Sequence, residues 1–304
     1  MSDNKIITEK LKNVNNLKIE TGVKLNKYSS FKVGGPAAIM ITPQNQNSLV
    51  KAIKIIEQSD LPSFVLGSGS NIIVSDKGYH GIVIYMEELD DIHISNNLIT
   101  AETGITLSRL ANKARRAGLS GLEFASGIPG SLGGALYMNA GAYGGEMKHI
   151  VKSAVAVSKK GNILDLSSEK LNLSYRNSLL QKKNLIAVKA VMELSSGDKE
   201  KITAKMKKLN RKRREKQPLD WPSAGSIFKR PKDDYAGRLV EEAGMKGVTI
   251  GGAQVSEKHA GFIINKGDAS ALDIKQLINK VQIKVENISG IKLEVEPKFI
   301  GNFQ

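Results

Sequence analysis

Apolar residues recur along this chain at two spacings. Leu49, Ala52, Ile53 and Ile56 stand at i, i+3, i+4 and i+7, one face of a helix. Leu107, Leu110, Ala111 and Ala114 repeat the pattern, and Gly118 stops it at a capping position. Ala236, Leu239, Val240 and Ala243, closed by Gly244, predict a third stripe. Ile274, Leu277, Ile278 and Val281 predict a fourth, with Asp273 as N-cap. Strand signals lie between the helices. Residues 21–42 give short β-prone pieces broken by Gly34, Gly35 and Pro36. Residues 61–86 read as three strands separated by a Gly-rich turn and a Lys-Gly turn. Val155 and Val157 alternate, Lys160-Gly161 turns the chain, and Ile163-Leu164 returns it. Residues 185–194 and 292–301 read as further strands, and residues 1–17 as a polar, mobile segment. Strand pairs separate the helices without a regular βαβ repeat, so the fold class is α+β.

Length and charge sharpen this picture. A chain of 304 residues predicts about two domains, or three small ones. With no Cys, disulfides, thiolate nucleophiles and Cys-ligated metals are excluded. His80, His93, His149 and His259 show no metal-ligand spacing. The N-terminus has no apolar core of a secretory signal, and apolar runs fall far short of the ~20 residues of a membrane span. A cytoplasmic protein without membrane insertion is expected. Net charge is +15, concentrated in Lys199–Lys216, where ten Lys/Arg face two Glu. Ile202, Met206 and Leu209 give that stretch one apolar side, so it reads as an amphipathic helix with a solvated basic face. No aromatic residues interleave to stack on bases, and nucleic acid is not an expected partner.

Candidate chemistry sits in the Gly-rich segments. Gly67-Ser68-Gly69-Ser70-Asn71 joins two apolar strands and reads either as a nest for a pyrophosphate or as a tight hairpin turn. It is neither G-x-G-x-x-G, since Ile72 takes the third Gly position, nor a P-loop. Gly127-Ile128-Pro129-Gly130-Ser131-Leu132-Gly133-Gly134, running on to Asn139 and Gly141, reads as a cofactor contact or a tightly packed loop. Pro129 and Ser131 predict a short helix whose N–H groups face an anion. Arg176 suits a carboxylate, or is a surface Arg. Ser226 lies in a small-residue turn with no His at a hydrolase spacing, and Glu294 and Glu296 share one face of the last predicted strand.

Taken in order, these segments resemble one family. Its motifs are matched by residues 29–37 (with Gly34 and Gly35), 66–71, 127–134, 139–144, Tyr175-Arg176, 224–229, 251–256 and 260–262. The set is similar to the UDP-N-acetylenolpyruvoylglucosamine reductases from about residue 20 to the end. The resemblance implies two FAD-binding lobes of the vanillyl-alcohol-oxidase type, at 17–88 and 89–196, and a C-terminal α/β substrate domain at 197–304. It implies FAD held by Gly34, Gly35, Gly67, Ser68, Gly69, Ser70, Asn71, Gly127, Pro129, Gly130, Ser131, Gly133, Gly134, Asn139 and Gly141. It implies NADPH as reductant and UDP-N-acetylglucosamine enolpyruvate as substrate, reduced to UDP-N-acetylmuramate for peptidoglycan precursor synthesis. Arg176 and Glu296 would stabilise the substrate carboxylate, with Glu296 protonated, and Ser226 would donate a proton. Two departures stand out. A shifted Pro297 leaves Glu294 as a rival to Glu296, and Lys298 replaces a common Arg. Only 70 positions separate Ser226 from Glu296, which matches the family's shorter form, without a Tyr-bearing lid. Another FAD-dependent oxidase with the same lobes is the alternative, and it would lack the Arg176, Ser226, Glu296 set.

Overall fold

All four apolar stripes and the basic stretch become helices, with capping groups at several of their ends. The computed structural model describes residues 3–303. Its helices are α1 (Asp3–Lys12), α2 (Gln46–Glu57), α3 (Leu107–Arg116), α4 (Leu132–Met138), α5 (Ser168–Leu171), α6 (Leu179–Lys182), α7 (Lys199–Lys216), α8 (Ala236–Glu242) and α9 (Ala271–Ser289). Asn45 opens α2 with a reciprocal capping box: its side chain accepts the Ser48 N–H at 2.9 Å, and the Ser48 hydroxyl takes the Asn45 N–H. α9 opens in the same way on Ser270. Asp273, expected as the N-cap, is instead the third helical residue, and its carboxylate takes the Ser270 N–H at 2.9 Å. The N-terminal stretch, expected to be mobile, forms α1. Ile7, Leu11 and Val14 are buried, an i, i+4, i+7 set, and α1 packs on α2. The first two residues of that stretch lie outside the described residues. The last strand, expected over 292–301, forms only at Lys298–Ile300, because Pro297 lacks an N–H to extend the ladder.

The chain divides into two compact units, each assembled from separated segments. The first takes the chain through Thr21, Ile39–Ser68 and Gly81–Lys212; the second takes Gly22–Ala38, Gly69–His80 and the chain from Arg213 on. This departs from the expected boundaries at 88 and 196. Phe31, Val33 and Ile73 bury into the same core as α8 and α9, so residues 22–38 and 69–80 go with the C-terminal part.

In the first unit a five-stranded antiparallel sheet runs edge to edge through Ile163–Ser167, Val151–Val157, Ile186–Glu193, Leu98–Glu102 and Ile92–Ser95. Its buried face offers Ile99, Ala101, Ala154, Ala156, Ala190 and Met192 to Leu107, Leu110 and Ala111 of α3 and to Leu132, Ala135 and Leu136 of α4. The run of alanines leaves room for α4 to lie close to the sheet. A four-stranded sheet orders Leu17–Lys24, Pro36–Pro43, Tyr79–Tyr85 and Ser63–Leu66, the last two parallel. In the second unit the strands Thr249–Ile250, Ala253–Val255 and Ile263–Asn265 form an antiparallel sheet against α9, and Lys298–Ile300 pairs in parallel with Ile72–Val74. Among the described residues no helix is long and apolar enough to cross a membrane.

Candidate active site

The strand Ser63–Leu66 delivers the chain to residues 67–71, and Ile72–Val74 takes it away. A Cβ at Gly67 would strike the Ser131 hydroxyl, so the first two Gly-rich motifs meet here with no room for a side chain. Gly69 has φ +62°, and a Cβ on it would collide with the Tyr28 carbonyl oxygen. The N–H groups of Ser68, Gly69 and Ser70 have no backbone acceptor among the described residues. The Ser68 side is exposed. A short loop with unspent N–H donors fits the anionic diphosphate of a dinucleotide. Gly34 and Gly35 precede the strand Pro36–Pro43 and lie against Val74 and Asp76, so close backbone packing already accounts for their size.

The N-terminus of α4 is a different matter. Ser131 caps the helix, its hydroxyl accepting the Gly134 N–H. The Leu132 N–H donates to the Ile105 carbonyl at 2.9 Å, and the Gly133 N–H to the Thr103 carbonyl at 2.8 Å. The expected anion site at this helix is therefore corrected: its leading donors are spent on the Thr103 and Ile105 carbonyls. Gly127, Pro129 and Gly130 form the approach, with the Gly130 carbonyl taking the Leu107 N–H at 2.9 Å. The turn at 120–123, just before this approach, is held by Glu123, which is 3% exposed. Burial opposes its charge, but the Ser120 hydroxyl at 2.6 Å, the Gly121 N–H at 3.0 Å and Lys205 at 3.4 Å hold its carboxyl below the ordinary range.

Asn139 ends α4 in the left-handed conformation, φ +43°, and is 1% exposed. Its Nδ2 donates to Glu146 Oε2 at 2.8 Å and to the Ser174 carbonyl at 3.2 Å. Its Oδ1 accepts the Lys148 N–H at 2.9 Å. Burial works against the Glu146 charge, yet Lys148 and Asn139 keep that carboxyl below its usual range. Gly141 lies in the hairpin of Gly141–Ala142 with Gly145–Glu146.

Arg176 stands in the turn between α5 and α6, in the first unit. The turn is closed by paired Ser174 and Asn177 backbone bonds of 3.1 Å each, and Arg176 has φ +52°. Its guanidinium lies 5.2 Å from the centre of the Tyr175 ring. Ser226 and Glu296 both lie in the second unit, on segments joined through the backbone of Ile227. The Ile227 N–H bonds the Gly261 carbonyl at 2.9 Å on one side, and Glu296 N–H bonds the Ile227 carbonyl at 2.8 Å on the other. Ser226 is half-buried, and its hydroxyl donates to the Phe228 carbonyl at 3.1 Å. Glu294, the rival carboxylate, is exposed and ion-paired with Lys229, whereas Glu296 is half-buried. Lys229 and Ser178 lie within candidate segments of the sequence, at 223–229 and 174–178, but neither has a role assigned to it there. The Ser178-to-Gln181 cap spacing is a local signal for the second; nothing local marks the first as a partner of Glu294.

The similarity to known proteins now has a geometry to attach to. A family model described as an FAD binding domain matches residues 37–167, which sets the class: a flavoprotein. A second, described as the C-terminal domain of UDP-N-acetylenolpyruvoylglucosamine reductase, matches residues 217–300. A UDP-N-acetylenolpyruvoylglucosamine reductase of Caldanaerobacter subterraneus subsp. tengcongensis is 46% identical over 97% of this chain and 98% of that protein. One from Clostridium botulinum is 47% identical over 93% of each. The crystal structure of the reductase from Thermus caldophilus matches with a TM-score of 0.82 at 34% identity, covering 94% of this chain and all of that one. The chain belongs to the UDP-N-acetylenolpyruvoylglucosamine reductase family.

Proposed function

We propose that Arg176, Ser226 and Glu296 carry the family's reaction in this chain. That reaction is the FAD-dependent, NADPH-driven reduction of UDP-N-acetylglucosamine enolpyruvate to UDP-N-acetylmuramate in peptidoglycan precursor synthesis, and it is this protein's activity. FAD, for which the 67–71 loop offers diphosphate donors, would supply the hydride equivalent, drawn from NADPH, that reduces the vinyl methylene carbon. Negative charge then develops on the neighbouring carbon and spreads into its carboxylate. The Arg176 guanidinium holds that carboxylate in its planar fork. Ser226 gives the carbon its proton. A hydroxyl is a weak acid in water, but the carbon is a far stronger base, so the transfer runs downhill within hydrogen-bond reach. To make it, Ser226 must leave the Phe228 carbonyl, which costs about 0.5–1.5 kcal/mol for one bond. Glu296 acts as the protonated carboxyl at the substrate carboxylate, because a charged one would repel it.

One observation carries this reading: the Glu294 carboxylate is exposed and turned onto Lys229, while Glu296, two residues on, is half-buried and held by its backbone N–H beside Ile227. On the FAD side, Ser68, Gly69 and Ser70 supply donors to the diphosphate. The other glycines, with Pro129, contribute close backbone approach. By role, 17–88 and 89–196 serve FAD and 197–304 serves the sugar nucleotide. The work is placed in the cytoplasm, where NADPH and nucleotide sugars are made. The test compares two alanine variants by flavin reoxidation with the enolpyruvyl substrate. Glu296→Ala should slow it by about 10²-fold, the scale of one lost stabilising donor, and Glu294→Ala should leave it nearly unchanged. The reverse order would transfer the role to Glu294.

A further inference from the structure

We infer that Asn139 is a positioning residue for Arg176, acting through the 174–177 turn, and not a ligand of the cofactor. This rests on the reading of Arg176 as the carboxylate-binding group. A side-chain amide has two donor hydrogens. In Asn139 one goes to Glu146 and the other to the Ser174 carbonyl, and the oxygen takes the Lys148 N–H. At 1% exposure the amide has no donor left for a ligand. The Ser174 carbonyl also accepts the Asn177 N–H that closes the turn, so the Asn139 bond lands on the hinge of that turn. A second tie lies two residues past Arg176. Ser178, fully buried, donates its hydroxyl to the Tyr137 carbonyl at 2.8 Å and caps α6 by accepting the Gln181 N–H at 3.2 Å. Both ends of the Arg176 turn are thus fastened to the end of α4. Arg176 itself is held at φ +52°, a conformation that a non-glycine keeps when its surroundings over-determine it. Bidentate recognition tolerates little displacement, and an error of ~1 Å costs about 10² in rate.

The experiment uses the FAD-loaded protein and the variant Asn139→Gly, which deletes the amide while suiting the left-handed backbone at φ +43°. FAD affinity and flavin reduction by NADPH should stay within about threefold of the parent, while reoxidation by the enolpyruvyl substrate slows about ten- to a hundredfold. An equilibrium readout accompanies the rates. Binding of UDP-N-acetylmuramate, which carries the carboxylate, should weaken, and binding of UDP-N-acetylglucosamine, which lacks it, should not. In an Arg176→Ala background, Asn139→Gly should add almost nothing to the reoxidation defect. Ser178→Ala should give the same pattern in milder form and replaces Asn139→Gly if that variant does not fold. Loss of FAD affinity with normal reoxidation would make Asn139 a cofactor ligand and overturn the inference. Equal weakening of both nucleotides would overturn it in favour of a general structural role. If Arg176→Ala alone reoxidises normally, it is the Arg176 reading that fails, and that single variant shows it.

Discussion

Replacing Ser226 by Ala separates a proton donor from a residue that only holds its loop. The structural cost is set by one bond, from the Ser226 hydroxyl to the Phe228 carbonyl at 3.1 Å. A neutral bond of that kind contributes about 0.5–1.5 kcal/mol. The backbone around Ser226 does not depend on it, since Ile227 is bonded to Gly261 on one side and to Glu296 on the other. Ser226→Ala should therefore fold with a loss of about 1 kcal/mol and should bind FAD and accept reduction by NADPH as the parent does. Proton delivery is a larger matter. A positioned acid contributes about 10²–10⁴ in rate, equivalent to about 3–5 kcal/mol of barrier. Stopped-flow absorbance of the flavin follows the two half-reactions one at a time. Only reoxidation by the enolpyruvyl substrate should slow, and Ser226→Cys should recover part of the rate because a thiol can still donate. Reoxidation of Ser226→Ala within about tenfold of the parent would refute the assignment, because a loss that small lies below the contribution of a positioned acid.

Three further outcomes follow from the packing. Gly69→Ala should lower Tm by several degrees and weaken FAD uptake, because its Cβ meets the Tyr28 carbonyl at a left-handed position; an unchanged melting curve would contradict this. Asp76 takes the Ala271 and Leu272 N–H groups at the start of α9, at 3.0 and 3.3 Å, so Asp76→Ala should cost about 1–2 kcal/mol in urea unfolding, with Asp76→Asn losing less. The Glu123 carboxyl titrates below its ordinary 4.5 when folded, so its stabilisation is complete above that value and is lost as pH falls through the lower, folded one. Between about pH 5 and pH 3, Glu123→Gln should show a flatter dependence of stability on pH than the parent, and parallel curves would argue against the assignment.

The helices were legible because burial writes itself into spacing. Leu107, Leu110, Ala111 and Ala114 face one core and are all buried. Ile7 and Leu11 of α1, with Val14 just past its end, carried the same signal, hidden by the polar residues around them. The fate of the α4 donors was not legible. Thr103 and Ile105, which accept them, lie more than twenty residues upstream, and no local pattern links the two segments. Asn139 illustrates the same limit. Its residue type suits a ligand contact or a buried tie equally well, and only the positions of Glu146, Lys148 and Ser174 decide between them. The unit boundary was hidden for a related reason. Apolar character shows that Phe31, Val33 and Ile73 will be buried but does not say against which helices. The choice between Glu294 and Glu296 was open to motif counting, and it took the Lys229 ion pair to distinguish their surroundings.

The pairing of Ile72–Val74 with Lys298–Ile300 also sets a timetable for synthesis. About 220 residues separate the two strands, which at ~5–20 residues per second is about 10–45 s on the ribosome. For that interval residues 22–38 and 69–80 wait for the chain that completes their core, and the edge of Ile72–Val74 stays without its partner. The first unit is complete much earlier, at Lys212. A nascent chain therefore carries a finished sheet beside an unfinished strand edge, and the hazard of mispairing falls on the segment just after the 67–71 loop. Emergence of Lys298–Ile300, and not of either Gly-rich motif, is the event that completes the second unit.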